Sequence, residues 1–223
     1  MKGLIRIFCS AAILLIFAAC QNDEERIFSC DSVTNEWVHQ NLSEIHEMDR
    51  LDWTNSNQEL AIPIYRAFTA EQKVAFWMSK LKETMSLDWS EREKAHIERV
   101  IQFIEAHKYL FEKDVLEEEL EKVDLFFYTW IYEAEHELGW SDYLCYAIVG
   151  TGYSLKNTQG ELQMPRTKKA VFLSSTEPDC NCSKESDWCF GQQYACKAGS
   201  CDEASDGCGT LFVHACDGRC WFD

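Results

Sequence analysis

The chain predicts a mainly α fold, a domain of five or six helices followed by a small disulfide-rich C-terminal module with a β-hairpin. Three observations carry this expectation. Between residues 30 and 150, apolar residues recur at three- and four-residue spacing behind helix-capping residues. Residues 151–178 lose that period and gain turn residues: Gly152, Asn157, Gly160, Pro165 and Pro178. Eight of the twelve cysteines then crowd into residues 179–223. That is roughly twice the density at which a short exported segment reads as a disulfide scaffold.

Residues 1–19 read as an export leader. Lys2 and Arg6 make a positive start, and the apolar run from Ile7 to Phe17 is too short to span a bilayer. The leader ends Phe17-Ala18-Ala19-Cys20. This resembles a lipoprotein box, with Phe17 where Leu is usual, and the resemblance implies lipidation of Cys20. Residues 20–29 form an acidic tether. Its Asp23-Glu24-Glu25 cluster resembles the surface-export signal of certain Gram-negative lipoproteins, which implies a cell-surface or outer-membrane location. A solvated flexible spacer is the plainer alternative.

The helical domain, residues 30–150, opens with a helix from about Val33 carrying Val38, Leu42, Ile45 and Met48. Leu60 to Phe68 is a shorter apolar run that Pro63 should bound or kink. Thr69 and Gln72 form a capping box, and Val74, Trp77, Met78, Leu81 and Met85 follow on one stripe. Ser90 and Glu93 form a second box ahead of Ile97, Val100, Ile101 and Ile104. A longer helix from about Asp114 carries Leu116, Leu120, Val123, Phe127, Ile131 and Leu138, with Gly139 as its stop. Ser141 should cap a last short helix, Asp142 to Val149. About 120 residues in five or six helices suffice to bury one core.

No constellation in this domain predicts an enzyme or a cofactor. Glu93/His96 and Glu133/His136 have the Glu-x-x-His spacing that di-iron bundles use. Counted from a turn near Glu112, however, the two histidines differ in level by about 12 Å at ~1.5 Å rise per residue. They read as surface or capping residues. No zinc-protease, nucleophile-elbow or phosphate-loop motif is present.

Residues 151–178 read as a linker with one short strand at Ala170 to Leu173. It is the only net-positive part of the mature chain, and Arg166, Lys168 and Lys169 are its candidate cleavage site. Solubility alone is the other account of those cations. The helical domain sums to −14 and the module to −5, with eight acids against three bases. Such acidity excludes electrostatic binding of nucleic acid and of anionic lipid.

The module, residues 179–223, holds Cys180, Cys182, Cys189, Cys196, Cys201, Cys208, Cys216 and Cys220. Eight cysteines allow 105 connectivities. Thr210 to Ala215 reads as a strand entering an Asp217-Gly218 turn, with Arg219 to Phe222 returning. Zinc competes with disulfides for so many thiols. Cys216-x3-Cys220 is one zinc-type pair, but Cys180-x-Cys182 is too tight for a second, and an exported chain favours disulfides. Setting aside Cys9 in the leader and Cys20 for lipid leaves Cys30 and Cys145. They should form a fifth disulfide or pack as buried thiols.

The run Cys180-Asn181-Cys182 through Ser186-Asp187-Trp188-Cys189, with Gly207-Cys208-Gly209-Thr210, Phe212-Val213 and Cys216, resembles a small four-disulfide bacteriocin. The whole chain, leader and helices included, is similar to the bacteriocin fulvocin C-related proteins. The resemblance implies a surface lipoprotein whose module antagonises competing bacteria, after release or by contact. Because the module is acidic, its action should run through a target-cell receptor or apolar contact by Leu211, Phe212, Trp221 and Phe222, not lipid charge. The alternative is a non-toxic lipoprotein for adhesion or ligand binding.

Overall fold

The computed structural model describes residues 26–112, 115–164, 180–189, 194–199 and 204–222. Seven α-helices stand among them: α1 (Ser32–Ile45), α2 (Arg50–Asn55), α3 (Ala61–Ala67), α4 (Ala70–Met85), α5 (Glu91–Ala106), α6 (Glu117–Leu138) and α7 (Asp142–Val149). None of the described helices is long and apolar enough to cross a membrane. Both expected capping boxes form. Thr69 accepts from the Gln72 amide and Ser90 from the Glu93 amide, and each partner side chain reaches back to the cap. Gly139 ends α6 in the left-handed region, φ 70°, where a Cβ would be disfavoured. Trp77, Leu81, Ile97, Val100, Ile104, Val123 and Trp130 are fully buried where these helices meet.

Three elements depart from expectation. Helix α2 is too short to show an apolar period, yet Asp49 and Asp52 cap it reciprocally. Pro63 falls in the first turn of α3, where its missing N–H is not needed, so the helix that begins at Ala61 accommodates it instead of being bounded or kinked by it. Leu116 is no part of the apolar stripe. It sits at the N-cap of α6, 62% exposed.

The first half of the expected linker belongs to the fold. Arg50 donates to the Gly152 carbonyl at 2.9 Å, and buried Lys80 donates to the carbonyl of Tyr153. Leu155 bridges Leu162, and Thr151, Tyr153 and Leu155 are buried. Burial pushes the Lys80 amine well below the usual lysine range, with neighbouring Arg50 acting in the same direction and Glu83 against it. The rest of that linker, with the strand expected at 170–173, lies outside the described residues.

The C-terminal module contains β1 (Tyr194–Ala198), β2 (Ala204–Cys208), β3 (His214–Cys216) and β4 (Gly218–Phe222). The expected hairpin across Asp217-Gly218 does not form. Strand β4 pairs antiparallel with β1, placing Cys196 opposite Cys220, and β3 pairs antiparallel with β2. Asp217 and Gly218 are instead the crossing between the two small sheets, and both amides donate to the Cys182 carbonyl at 3.2 Å. Gly218 lacks the positive φ that a type I′ turn requires. The strand expected from Thr210 shrinks to β3 because Thr210–Phe212 forms a 3-10 turn. In a strand, Leu211 and Phe212 would point to opposite faces. Here both pack into the helical core.

Candidate ligand-binding site at the module seam

The module is joined to the helices by a plug. Leu211 is fully buried, and the Phe212 ring sits among Tyr65, Trp77, Trp53 and Phe76, with centroids 5.0, 5.2, 6.3 and 6.3 Å away. These separations and tilts are the favoured edge and tilted contacts of aromatic pairs. Tyr65 donates from its hydroxyl to the Leu211 carbonyl at 3.3 Å and accepts from Trp77 Nε1 at 3.1 Å. Burial accordingly raises the Tyr65 pKa well above its usual value. Leu211 and Phe212 hold φ of 53° and 55°, a region that bulky residues rarely adopt.

A polar anchor lies beside the plug. Asp206 in β2 is ion-paired with Lys73 and lies 3.5 Å from Arg26. Its carbonyl accepts from Arg66 Nε at 3.0 Å, while Arg66 Nη1 donates to the Phe28 carbonyl at 2.8 Å. Arg66 and Lys73 are buried, and burial lowers the Lys73 pKa against the pull of Asp206. One acidic residue of the module thus takes cations from the segment before α1 and from α4, and its backbone takes one from α3. Lys73 and Lys80 lie on the same side of α4 as buried Trp77 and Leu81. Cations at helical spacing on an apolar stripe are the signal of this anchor in the sequence.

The motif pieces behind the resemblance meet in space. Ser186 Oγ accepts from the Thr210 amide at 2.9 Å, and Trp188 Nε1 donates to Thr210 Oγ1 at 3.0 Å. Asp187 accepts from the amides of Cys189 at 2.7 Å and Cys196 at 2.8 Å. Gly209, φ +68°, lets the two strips close up. A Cβ there would stand 2.7 Å from both the His214 ring and Ser186. The result is a fixed Trp188, its ring 5.9 Å from that of Tyr146 in α7.

Trp188 separates two recesses. On one side is a cavity of about 340 Å³ between the module and the helices, walled by Trp53, Tyr146, Tyr153 and Phe212, with Gln58, Thr151, Asn181 and Ser186 among its polar groups. On the other is an open groove of about 790 Å³ lined by Asp124, Glu135, Asp142, Glu185 and Asp187, with Tyr128 on its edge. The Glu135 carboxyl is held above its usual pKa, chiefly by its hydrogen bond with Asp142. Beneath this groove His214 is fully buried, and neither ring nitrogen has a hydrogen-bond partner among the described residues. Asp124 Oδ1 lies 3.3 Å from Nε2, but out of line for a bond. Burial dominates, and lowers the His214 pKa to about 4.

Cys182 is bridged to Cys196, Cys189 to Cys220 and Cys208 to Cys216; Cys180 is also disulfide-bonded, and Cys201 lies outside the described residues. The sulfurs of Cys182, Cys189 and Cys196 lie within 4.8 Å of one another because two disulfides stack, and each is already bonded. The expected Cys30–Cys145 bridge does not form. Cys145 is a buried free thiol in α7, its pKa pushed up to about 12 by burial and then by Glu135 and Asp142, and Cys30 is half-buried just before α1.

Leu211 and Phe212, expected as an outward contact surface, face inward. Trp221 and Phe222 belong to β4, and their side chains lie outside what is described, as do Cys20, Arg166, Lys168 and Lys169. The four di-iron-spaced residues have structural partners. Glu93 caps α5 and accepts from Trp140 Nε1, and His96 Nε2 lies 3.0 Å from the Trp130 carbonyl. Glu133 pairs with Arg99, and His136 Nδ1 contacts the Tyr132 carbonyl.

Comparison with known proteins finds no matching family model, no matching curated protein and no matching solved structure.

Proposed function

We propose that this chain is an exported, lipid-anchored surface protein that binds a ligand at the seam between its helices and its disulfide module. The observation that carries the reading is the plug: with Leu211 and Phe212 in the helical core, the module is a wall of the binding body and not a detachable payload. Export is supported by the leader, by Cys20 in its lipoprotein-like box and by the disulfides. A binding role is supported by the lining that is described in the cavity, aromatic faces set beside amide and hydroxyl groups.

Antagonism of competing bacteria is the second reading, favoured by the cysteine and motif resemblance of the module. The two are separated by applying the oxidised mature chain to related strains. Ligand binding without growth inhibition is expected, and dose-dependent killing would restore the antagonist. Anchoring is tested apart from this. Cys20→Ser should abolish lipid labelling and release the chain from membranes; a labelled, membrane-bound variant would end the lipoprotein reading.

A further inference from the structure

We infer that the cavity between Tyr146 and Trp188 takes a neutral saccharide of one or two rings. The inference rests on the reading of the seam as a binding site and names its ligand class.

Charge comes first. A quarter of the chain is charged, 26%, and the net charge is −17, yet none of the described residues lining this cavity is charged. An anionic ligand would enter against the field of the whole protein, with no cation among the described lining residues to receive it. A cationic ligand would be drawn to the carboxylate groove across Trp188, not here. The cavity therefore suits an uncharged molecule.

Shape and polarity narrow the class. Tyr146 and Trp188 meet at 5.9 Å with planes 47° apart, and both line the cavity, so each brings aromatic surface that the C–H groups of a ligand ring can pack on. A purely apolar ligand would cover the exposed amides of Gln58 and Asn181 without replacing their water, at a cost. The amides of Gln58 and Asn181 offer groups that both donate and accept, which is what a ring of hydroxyls needs. Asn181 is oriented by its Oδ1, which accepts from the Cys220 amide at 3.3 Å. The volume, about 340 Å³, falls at the small end of the ~300–1,000 Å³ range of ligand pockets.

The test is titration calorimetry of the mature chain against cellobiose, maltose and chitobiose, preceded by an array of neutral and charged glycans. At least one neutral glycan should bind. Trp188→Ala should weaken binding about tenfold or more, as loss of a central aromatic contact does. Because Trp188 also braces Thr210, a gentler variant is run beside it. Gln58→Ala changes an exposed rim residue, and should weaken binding about fivefold, one hydrogen bond's worth, with unchanged melting temperature. No neutral glycan binding anywhere on the array, or binding indifferent to both substitutions, would overturn the inference. Titration with oligolysine tells that failure apart from failure of the seam itself. If oligolysine binds and Glu185→Gln weakens it while no glycan does, the seam is a binding site and the saccharide inference is wrong. If neither class binds, both readings fall.

Discussion

A left-handed backbone costs a bulky residue roughly 1–3 kcal/mol, and two such residues stand in succession at Leu211 and Phe212. That conformation persists because burial in the aromatic nest over-determines it. Phe212→Ala is expected to lower stability by about 2–4 kcal/mol, seen as a lower denaturant midpoint; an unchanged midpoint would mean the ring contributes nothing to cohesion. His214 makes the second residue-scale case. Its pKa near 4 in the folded chain lies below the unfolded value near 6.5, so the unfolded chain binds more protons between them. His214 therefore contributes stability that is complete above about pH 6.5 and lost as pH falls toward 4, on the order of 3 kcal/mol. Asp124 and Glu185 face the ring, and Asp124, itself raised by burial, opposes part of that loss. His214→Phe removes the titrating group while keeping a planar ring. Denaturation at pH 7 and pH 4.5 should show a smaller acid loss in the variant than in the parent; an equal loss would assign the acid sensitivity to other groups.

At the scale of elements, what was legible was local. The Thr69/Gln72 and Ser90/Glu93 boxes, the Ser141 cap and the Gly139 stop depend on neighbouring residues alone, and each stands where its letters place it. Helix α2 escaped because six residues carry no measurable period. The strands were misassigned for a different reason. Asp217-Gly218 has hairpin letters, but the Cys189–Cys220 bridge and the register with β1 draw β4 to one sheet, while Cys208–Cys216 draws β3 to the other. Disulfide pairing is long-range information that local turn chemistry does not contain. The motif strips around Ser186 and Gly209 were visible as letters, and only the fold showed that they lock together to hold Trp188.

At the scale of the molecule, the acidic surface and the cysteine-rich end were readable, but the seam was not. It is assembled from residues more than a hundred positions apart, Trp53 and Gln58 on one side and Trp188 and Phe212 on the other. Leu211 and Asp206, more than a hundred positions from the helices they meet, are likewise claimed by Tyr65, Arg66 and Lys73. The central claim is that the module is a non-covalently built-in wall of the helical body. It is tested by placing a specific protease site between residues 165 and 179, cutting under non-reducing conditions and chromatographing the product by size. No described disulfide joins the helices to the module, so the two pieces would be held by non-covalent contacts, the plug and the Asp206 anchor foremost. The cut chain should elute as one species of the intact size and separate only in denaturant. A module that elutes on its own in native buffer would contradict it.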